Sequence, residues 1–256
     1  MRPQPYIGIT GFMSRKEVNW VLMPFIEKID RPIMVGVLVS SRTLRGEANK
    51  WPNRYPKPEV LRELFPAYGN LLNLIHFNTK EPDSLLYDMC LAQDLAGPNC
   101  HGFQLNIAWP DKKVLEDYKA KAQFRQKTIV LQCGAKAIKE AGSPFDLGLR
   151  LKQYEGLIDY VLLDPSGGLG QDFHEAEMAA MLYYVRENAS IDLGIGIAGG
   201  LHPENLERLR PLASRFEFGI DAEGKLRNAD DHLDLPKAAL YLQNADRLFR
   251  EYKQAA

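Results

Sequence analysis

Eight short apolar runs alternate with longer amphipathic stretches along the whole chain, and this alternation constrains the fold more than any other feature. The runs lack a strict polar–apolar alternation, which is typical of parallel strands buried on both faces. They are YIGIT (6–10), IMVGVLVSS (33–41), LLNLIHFN (71–78), GFQLNIA (102–108), TIVLQC (128–133), DYVLLD (159–164), DLGIGIAGG (192–200) and FEFGIDA (216–222). Eight strand–helix units in series predict an α/β fold, a (β/α)8 TIM barrel, with residues 1–256 as a single domain.

The stretches between these runs carry helix signals. Ser14, followed three residues later by Glu17, predicts a capping box. Further helices are expected from Pro58, over 83–96, 111–124 and 136–154, and in the segments 173–188, 202–213 and 235–252. Gly142, Pro144 and Gly148 predict a break in the helix over 136–154. A doubly wound open sheet is the alternative, but GITGFMS (8–14) lacks the G-x-G-x-x-G spacing that such a fold shows after its first strand.

The charge balance limits the partners that the chain is expected to have. Thirty-two basic and 33 acidic residues leave a formal net charge of −1, so no electrostatic surface for nucleic acid or an anionic membrane is predicted. No run reaches the ~18 apolar residues of a membrane span, so a cytoplasmic location is expected. The three cysteines lack the spacing of a zinc site or a disulfide framework. An oligomeric state cannot be read from these features.

In a barrel, the polar residues at the carboxyl ends of the strands form the active site. No such end carries a lysine for a Schiff base, and the carboxylates are too few to favour a metal, so neither a metal nor a cofactor is expected. The candidates suit proton transfer on a phosphorylated small molecule. They are Gly8, Thr10, Ser40, His76, Asn78, Asn106, Gln132, Cys133, Asp164, Gly199, Gly200 and Asp221.

Two glycine-bearing loops follow the seventh and eighth strands, where barrels often bind phosphate. Gly199 and Gly200 come directly before His202-Pro203-Glu204, which opens a predicted helix, and Gly224 ends the segment GIDAEG. Backbone N–H groups in such loops can bind an anion. The alternative is that these glycines only permit tight turns.

With these residues in place, the sequence resembles the phosphoribosylanthranilate isomerases, barrel enzymes of tryptophan biosynthesis that carry out an Amadori rearrangement. Six fragments match family patterns in the same order along the chain. YIGIT is similar to K-I-C-G-I-T, NRYPKPEVLREL to S-x-R-Y-[VI]-[ST]-P-E, GFQLN to V-Q-L-H-G, VLLDPSGGLGQDF to L-L-D followed by G-G-[ST]-G-x-x-F-[DN]-W, IAGGLHPENL to L-[AS]-G-G-L-x-P-x-N-[VI], and FGIDAEG to G-V-D-V-S-S-G.

The resemblance implies a role for several residues. Asp164 matches the general acid, Arg54 matches the arginine that holds the anthranilate carboxylate, and Asp221 matches an aspartate near the sugar. Phosphate-loop glycines are matched by Gly199, Gly200 and Gly224. The departures fall within the same motifs, because Ile7 replaces the general-base cysteine, Asn106 replaces a histidine, and Ala222-Glu223 replaces a serine pair.

The missing base leaves the function open at this point. Cys133 is the first substitute considered, since it is a thiol at the end of the fifth strand, and His76 is the second. Asp164 and Cys133 are therefore the catalytic candidates, and Arg54, Asn106 and Asp221 the substrate-binding ones. The expected function is binding of a phosphorylated ribose-derived molecule, and the reaction expected of a catalytic barrel is an Amadori-type sugar isomerisation with Asp164 as the general acid. The alternatives are a non-catalytic ligand-binding or regulatory barrel, and a lyase or isomerase that acts on another sugar phosphate.

Overall fold

The computed structural model describes residues 1–166 and 174–253. Eight parallel strands form a closed barrel in which each strand pairs with the next and the eighth pairs with the first. This confirms the (β/α)8 architecture. The strands are β1 (Ile7–Thr10), β2 (Ile33–Ser40), β3 (Leu71–Asn78), β4 (Gly102–Leu105), β5 (Thr128–Gly134), β6 (Tyr160–Asp164), β7 (Gly194–Ile197) and β8 (Gly219–Ala222).

The helices lie on the outside of the barrel. They are α1 (Arg15–Leu22), α2 (Ser41–Leu44), α3 (Leu61–Leu64), α4 (Leu85–Ala96), α5 (Lys112–Ala120), α6 (Ala135–Ala141), α7 (Pro144–Lys152), α8 (Glu175–Asn188), α9 (Arg210–Ala213) and α10 (Leu235–Lys253). Short 3-10 turns occupy Pro58–Val60, Pro82–Ser84, Leu206–Leu209 and Gly224–Leu226. No helix in residues 1–166 and 174–253 is long and apolar enough to cross a membrane.

The capping signals explain where several helices begin. The Ser14 hydroxyl accepts a hydrogen bond from the Glu17 backbone N–H, and the Glu17 carboxylate accepts one from Met13, one residue before the position that a capping box would use. Asp111 caps α5 as expected. The break predicted within 136–154 separates α6 from α7, and Gly142 there has a φ of 96°.

Three units differ from the sequence prediction. The helices expected after β2 and β7 are each reduced to a 3-10 turn followed by four α-helical residues, α3 and α9. Strand β4 ends at Leu105 rather than at 108, and β7 covers 194–197 rather than 192–200. Both strands stop early because the chain turns into the loops that carry Asn106 and Gly199, and Gly199 has a φ of 115°.

Side chains alternate between the barrel interior and the layer under the helices, since successive residues of a strand point to opposite faces. The inner cluster contains Tyr6, Met34, Leu74, Val130, Tyr160, Leu162 and Ala198. A much larger outer cluster includes Ile7, Phe103 and Cys133 and packs against the helices. The polar residues of the inner face lie above the inner cluster, at the carboxyl ends of the strands.

Close approach of neighbouring strands explains several glycines. A β-carbon built at Gly102 would overlap the backbone carbonyl of Thr128 on β5, and one at Gly219 would lie 2.7 Å from the carbonyl oxygen of Tyr6. Both contacts are with backbone atoms, which cannot rotate away as a side chain can. The register β3–β4–β5 therefore requires glycine at position 102.

We expect Gly102→Ala to lower the free energy of unfolding by more than about 3 kcal/mol, because a positive φ and a backbone overlap are combined at this site. Gly156→Ala is the control, since Gly156 has a φ of 77° but nothing within 4 Å of a built β-carbon. That variant should cost only about 1 kcal/mol. Urea unfolding measures both values, and equal losses would contradict the strand-contact explanation.

Candidate functional site

A cavity of about 70 Å³ opens at the carboxyl ends of the strands. It brings together Asp164, Asn106, Asp221, Gly199, Gly200 and Gly224, which are far apart in the sequence but were each predicted as site residues. We call it the carboxylate cavity. Its remaining lining residues are His76, Gln132, Ser166, Ala198, Leu201, Ala222, Glu223 and Lys225.

Asp164 ends β6 with its side chain on the inner face, on the same side as Leu162. Only 4% of the residue is exposed. The Ser166 hydroxyl donates to Oδ1 at 2.6 Å and the Gln132 amide donates to Oδ2 at 2.9 Å. Two donors thus fix the carboxylate in orientation at the cavity wall. The glycine-rich segment that follows, within 167–173, lies outside the described residues.

Asp221 points into the same cavity from β8 and is 5% exposed. Its Oδ2 accepts from the Gln104 amide at 3.1 Å, and the Thr10 hydroxyl lies 3.1 Å from both carboxylate oxygens. Burial raises the pKa of Asp221 to about 7, and these hydrogen bonds only partly oppose the shift. Asp221 can therefore exchange a proton near neutral pH.

Gln104 connects the two carboxylates. Its amide nitrogen lies 3.1 Å from His76 Nδ1, 3.2 Å from Gln132 Oε1 and 3.1 Å from Asp221 Oδ2. Because an amide group has two hydrogens, it can donate to only two of these three neighbours at once. Gln132 in turn donates to Asp164, so a continuous chain of polar side chains runs from Asp221 to Asp164. A change of protonation at one end therefore alters the hydrogen bonds available to the other.

His76 forms part of this chain from β3. Desolvation lowers the pKa of the buried imidazole, so the neutral ring is favoured. His76 is therefore a hydrogen-bonded residue of the cavity wall, with Nδ1 beside the Gln104 amide.

The first strand does not point a side chain with an ionisable group into the cavity. Ile7, at the position that the resemblance matches to a cysteine, packs in the outer cluster. The inward-facing neighbour is Gly8, where a built β-carbon would lie 2.8 Å from Oδ1 of Asp221 and 2.7 Å from the end of Met34. The space that a longer residue at position 8 would need is thus already held by Asp221 and Met34.

The structure does not bring Cys133 to the site, so its interpretation as a substitute base needs correction. Gln132 and Cys133 are consecutive residues of β5, and since Gln132 faces the cavity, Cys133 faces the helices. The thiol is fully buried, and desolvation raises its pKa to about 12. A thiol in this position is a core residue.

Arg54 lies at the rim of the site, in the long loop after β2. Its guanidinium donates to both oxygens of Asp231 at 2.6–2.9 Å and to Glu223 at 3.1 Å. It also stacks on the Trp51 ring at 4.6 Å. The hydrogen bond to Asp231 is the main reason that its pKa is raised. The guanidinium is therefore already neutralised by two carboxylates of the protein.

The loop after β7 turns at two consecutive glycines. Gly199 and Gly200 have φ values of 115° and 65°. The Asn205 side chain braces this loop, since its oxygen accepts from the His202 N–H and its amide donates to the Gly200 carbonyl, both at 2.9 Å. In the described part of the chain, the N–H groups of Gly199 and Gly200 donate to no protein acceptor. Lys225, after β8, adds a cation to the same wall.

Sequence reasoning missed two residues of the site, Gln104 and Ser166. Gln104 lies two residues before Asn106, so the two-residue period of a strand could have placed it beside a known candidate, whereas Ser166 lies in the turn after β6, where that period no longer applies. The exclusion of a side chain at Gly8 by Asp221 depends on the pairing of β1 with β8 and leaves no sequence signal. Within residues 1–166 and 174–253, no three His, Cys, Asp or Glu side chains are grouped so as to hold a metal ion.

No protein-family model and no curated protein sequence matches the chain. Solved structures do match it. Phosphoribosylanthranilate isomerase from Thermus thermophilus is 17% identical over 97% of this chain and 100% of its own, with a TM-score of 0.63. The enzyme from Pyrococcus furiosus is 17% identical over 95% of this chain and 100% of its own, with a TM-score of 0.63. These similarities show a shared fold.

A third similar structure contains a ligand. It is a phosphoribosylanthranilate isomerase in complex with reduced 1-(o-carboxyphenylamino)-1-deoxyribulose 5-phosphate, 15% identical, covering 95% of this chain and 100% of that one, with a TM-score of 0.61. Other barrels also match, among them one described as native KDPGal at 14% identity and a TM-score of 0.55. At such identities the comparisons establish the barrel fold, and any inference about the reaction must come from the residues of the site.

The raised pKa of Asp221 predicts a specific pH dependence of stability. Below about pH 4 the carboxyl is neutral in both the folded and unfolded chains, whereas between about pH 4 and 7 only the unfolded chain releases its proton. Stability is therefore lost as the pH rises through this window. We expect Asp221→Asn to stabilise the fold by roughly 2–4 kcal/mol at pH 8 and by almost nothing at pH 4.

Urea unfolding of wild type and variant at both pH values tests this. Asp83→Asn, at an exposed position in the 3-10 turn after β3, is the control for removal of one negative charge. An effect of Asp221→Asn that is equal at pH 4 and pH 8 would show that the carboxyl is not held neutral by burial.

Proposed function

We propose that the protein binds a phosphorylated, ribose-derived small molecule at the carboxylate cavity and catalyses an isomerase-type proton transfer on it. The observation that supports this most is the joining of two buried carboxylates, Asp164 and Asp221, through one hydrogen-bonded chain beside a glycine loop. Proton transfer on a sugar needs an acid and a base held on either side of the reacting atoms.

The roles of the two carboxylates follow from different observations. The resemblance to phosphoribosylanthranilate isomerase gives Asp164 the part of the acid, which protonates the ribose ring oxygen as the ring opens. Asp221 is the candidate for the base that β1 lacks, because a pKa of about 7 suits proton exchange at neutral pH. The position of Asp221 beside Gly8 supports the role of base, since its carboxylate occupies the space where β1 has no side chain. Asn106 lies at the cavity wall and would orient the substrate.

The phosphate group would bind at Gly199, Gly200 and Gly224. The backbone N–H groups of Gly199 and Gly200, where φ is positive, together with the ammonium group of Lys225, are suited to a dianion. Gly224 has nothing within 4 Å of a built β-carbon, so a ligand atom can approach its backbone.

Gly224 offers a matched pair of variants to test the phosphate site. Gly224→Ala should change the affinity for inorganic phosphate by less than about threefold, because the methyl group has open space, whereas Gly224→Asp should weaken it by more than about tenfold through charge repulsion. Calorimetric titration with inorganic phosphate gives the affinities. Equal binding by the two variants would place the anion elsewhere.

A non-catalytic binding barrel is the second candidate, because the first strand contributes no base. The two are separated by following deuterium uptake from D2O into ribulose 5-phosphate by NMR. We expect exchange at the carbon beside the carbonyl, reduced by about 10²–10⁴-fold in Asp164→Asn and in Asp221→Asn. Phosphate binding without any exchange would favour the binding barrel. A lyase that acts on another sugar phosphate would instead release a shorter fragment.

We further expect the gene to fail to complement a bacterial strain that lacks phosphoribosylanthranilate isomerase. The base is not at the position that the family uses, and Arg54, which the resemblance assigns to the anthranilate carboxylate, is held by Asp231 and Glu223. Growth without tryptophan is the measurement, with an authentic isomerase gene as the positive control. Robust growth would show that this chain carries out the same reaction.

A further inference from the structure

A second cavity adjoins the first and is considerably larger. Its volume is about 540 Å³, against about 70 Å³ for the carboxylate cavity. Asn106 and Gln132 line both, so the two spaces are neighbours that share a wall. The remaining lining residues are Asn78, Thr79, Lys80, Pro82, Ile107, Ala108, Gly134, Lys136 and Ala137. We call this second space the lysine cavity.

The sizes favour a ligand that uses both spaces. A volume of about 70 Å³ is enough for a few atoms around the two carboxylates but not for a whole sugar phosphate, whereas small-molecule sites commonly have about 300–1,000 Å³. The lysine cavity falls within that range. A molecule whose reacting carbon lies between Asp164 and Asp221 would therefore extend past Asn106 and Gln132.

The positive charge of the lysine cavity favours a ligand with an anionic group at that end. Lys80 and Lys136 line it, and none of the described residues contributes a carboxylate to its wall. Lys80 makes no ion pair with any residue in the described ranges, and Lys136 has only a 3.8 Å contact with Glu140 on the surface of α6. Such an exposed pair is weak, so both ammonium groups remain available to an anion.

The walls of this cavity are held in place by buried or half-buried contacts. The Trp109 indole N–H, in the loop after β4, donates to the Ala137 carbonyl at 3.0 Å and joins that loop to α6. On the opposite wall, the Ser41 hydroxyl lies 2.6 Å from Thr79 Oγ1. A space braced from both sides is preorganised for a ligand.

Arg54, which the resemblance assigns to the anthranilate carboxylate, already forms ion pairs within the protein. Arg54 is bound by Asp231 and Glu223, whose positions after β8 hold it at the rim. An anionic substrate group directed to Arg54 would have to displace two carboxylates of the protein. Lys80 and Lys136 require no such exchange.

We propose that the lysine cavity is a second anion subsite, and that the natural ligand carries a phosphate at the glycine loops and a second anionic group bound by Lys80 and Lys136. This inference rests on the proposed phosphate site at Gly199, Gly200 and Gly224. The second group is a phosphate or a carboxylate, and the amides of Asn78, Asn106 and Gln132 can bind the polar atoms between the two ends.

The test is a calorimetric titration with three probes. Ribose 5-phosphate carries one anionic group, ribulose 1,5-bisphosphate carries two phosphates, and reduced 1-(o-carboxyphenylamino)-1-deoxyribulose 5-phosphate carries a phosphate and an aromatic carboxylate. We expect at least one two-anion probe to bind wild type about tenfold or more tightly than ribose 5-phosphate, since charge-assisted hydrogen bonds contribute this much. The probe that shows the gain identifies the second group as phosphate or carboxylate.

The variants locate the gain. Lys80→Met/Lys136→Met should abolish it and leave the affinity for ribose 5-phosphate unchanged, while Lys139→Met, on an exposed position of the same helix, should preserve it. Both cavity lysines are exposed, and a thermal melt verifies that the double variant folds. If ribose 5-phosphate binds as tightly as both two-anion probes, or if the double variant keeps the gain, the second subsite is wrong and the phosphate site stands. If no probe binds, the proposed function fails together with this inference.

Discussion

Inward-facing side chains of neighbouring barrel strands compete for the same narrow interior, and the arrangement of the candidate site depends on how that competition is resolved. Eight parallel strands fix which residues face each other, and the two-residue alternation fixes which of them point inward. Where one strand supplies a long polar side chain, the next must supply a small residue. Two pairs on either side of β1 show this: Gly36 on β2 leaves space for Thr10, and Gly8 on β1 leaves space for Asp221 on β8. The polar chain from Thr10 through Asp221 and Gln104 to Asp164 exists because those glycines leave room for it.

The sequence was sufficient to predict the barrel, because eight apolar runs in series have few other solutions. Six of the residues that it singled out line one cavity, since the carboxyl ends of parallel strands meet at the same face. The prediction for Cys133 was wrong because it assumed that every residue at a strand end faces the site. Adjacent residues of a strand face opposite layers, and Cys133 faces the helices. The role of Gly8 could not be predicted, because it depends on a contact between residues at opposite ends of the chain.

Electrostatics divides the upper face of the barrel into regions with different properties. At the rim, Arg54, Asp231 and Glu223 satisfy one another, and this cluster joins the loops after β2 and β8. In the carboxylate cavity, burial raises the pKa of Asp221, and no ion pair among the described residues compensates it. Farther along, Lys80 and Lys136 line a wall to which none of the described residues contributes a carboxylate. In the proposed function the acid–base groups and the phosphate share the carboxylate cavity, and the second anionic group would lie in the adjacent lysine cavity, past the shared amides of Asn106 and Gln132.

The contact between Gly8 and Asp221 also limits how this chain can change by mutation. A side chain at position 8 would force the Asp221 carboxylate and the end of Met34 out of their present places. The hydrogen bonds that Asp221 accepts from Thr10 and Gln104 oppose such a shift. Residues 8 and 221 are therefore coupled in space although they lie at opposite ends of the sequence, and we expect substitutions at the two positions to have non-additive effects.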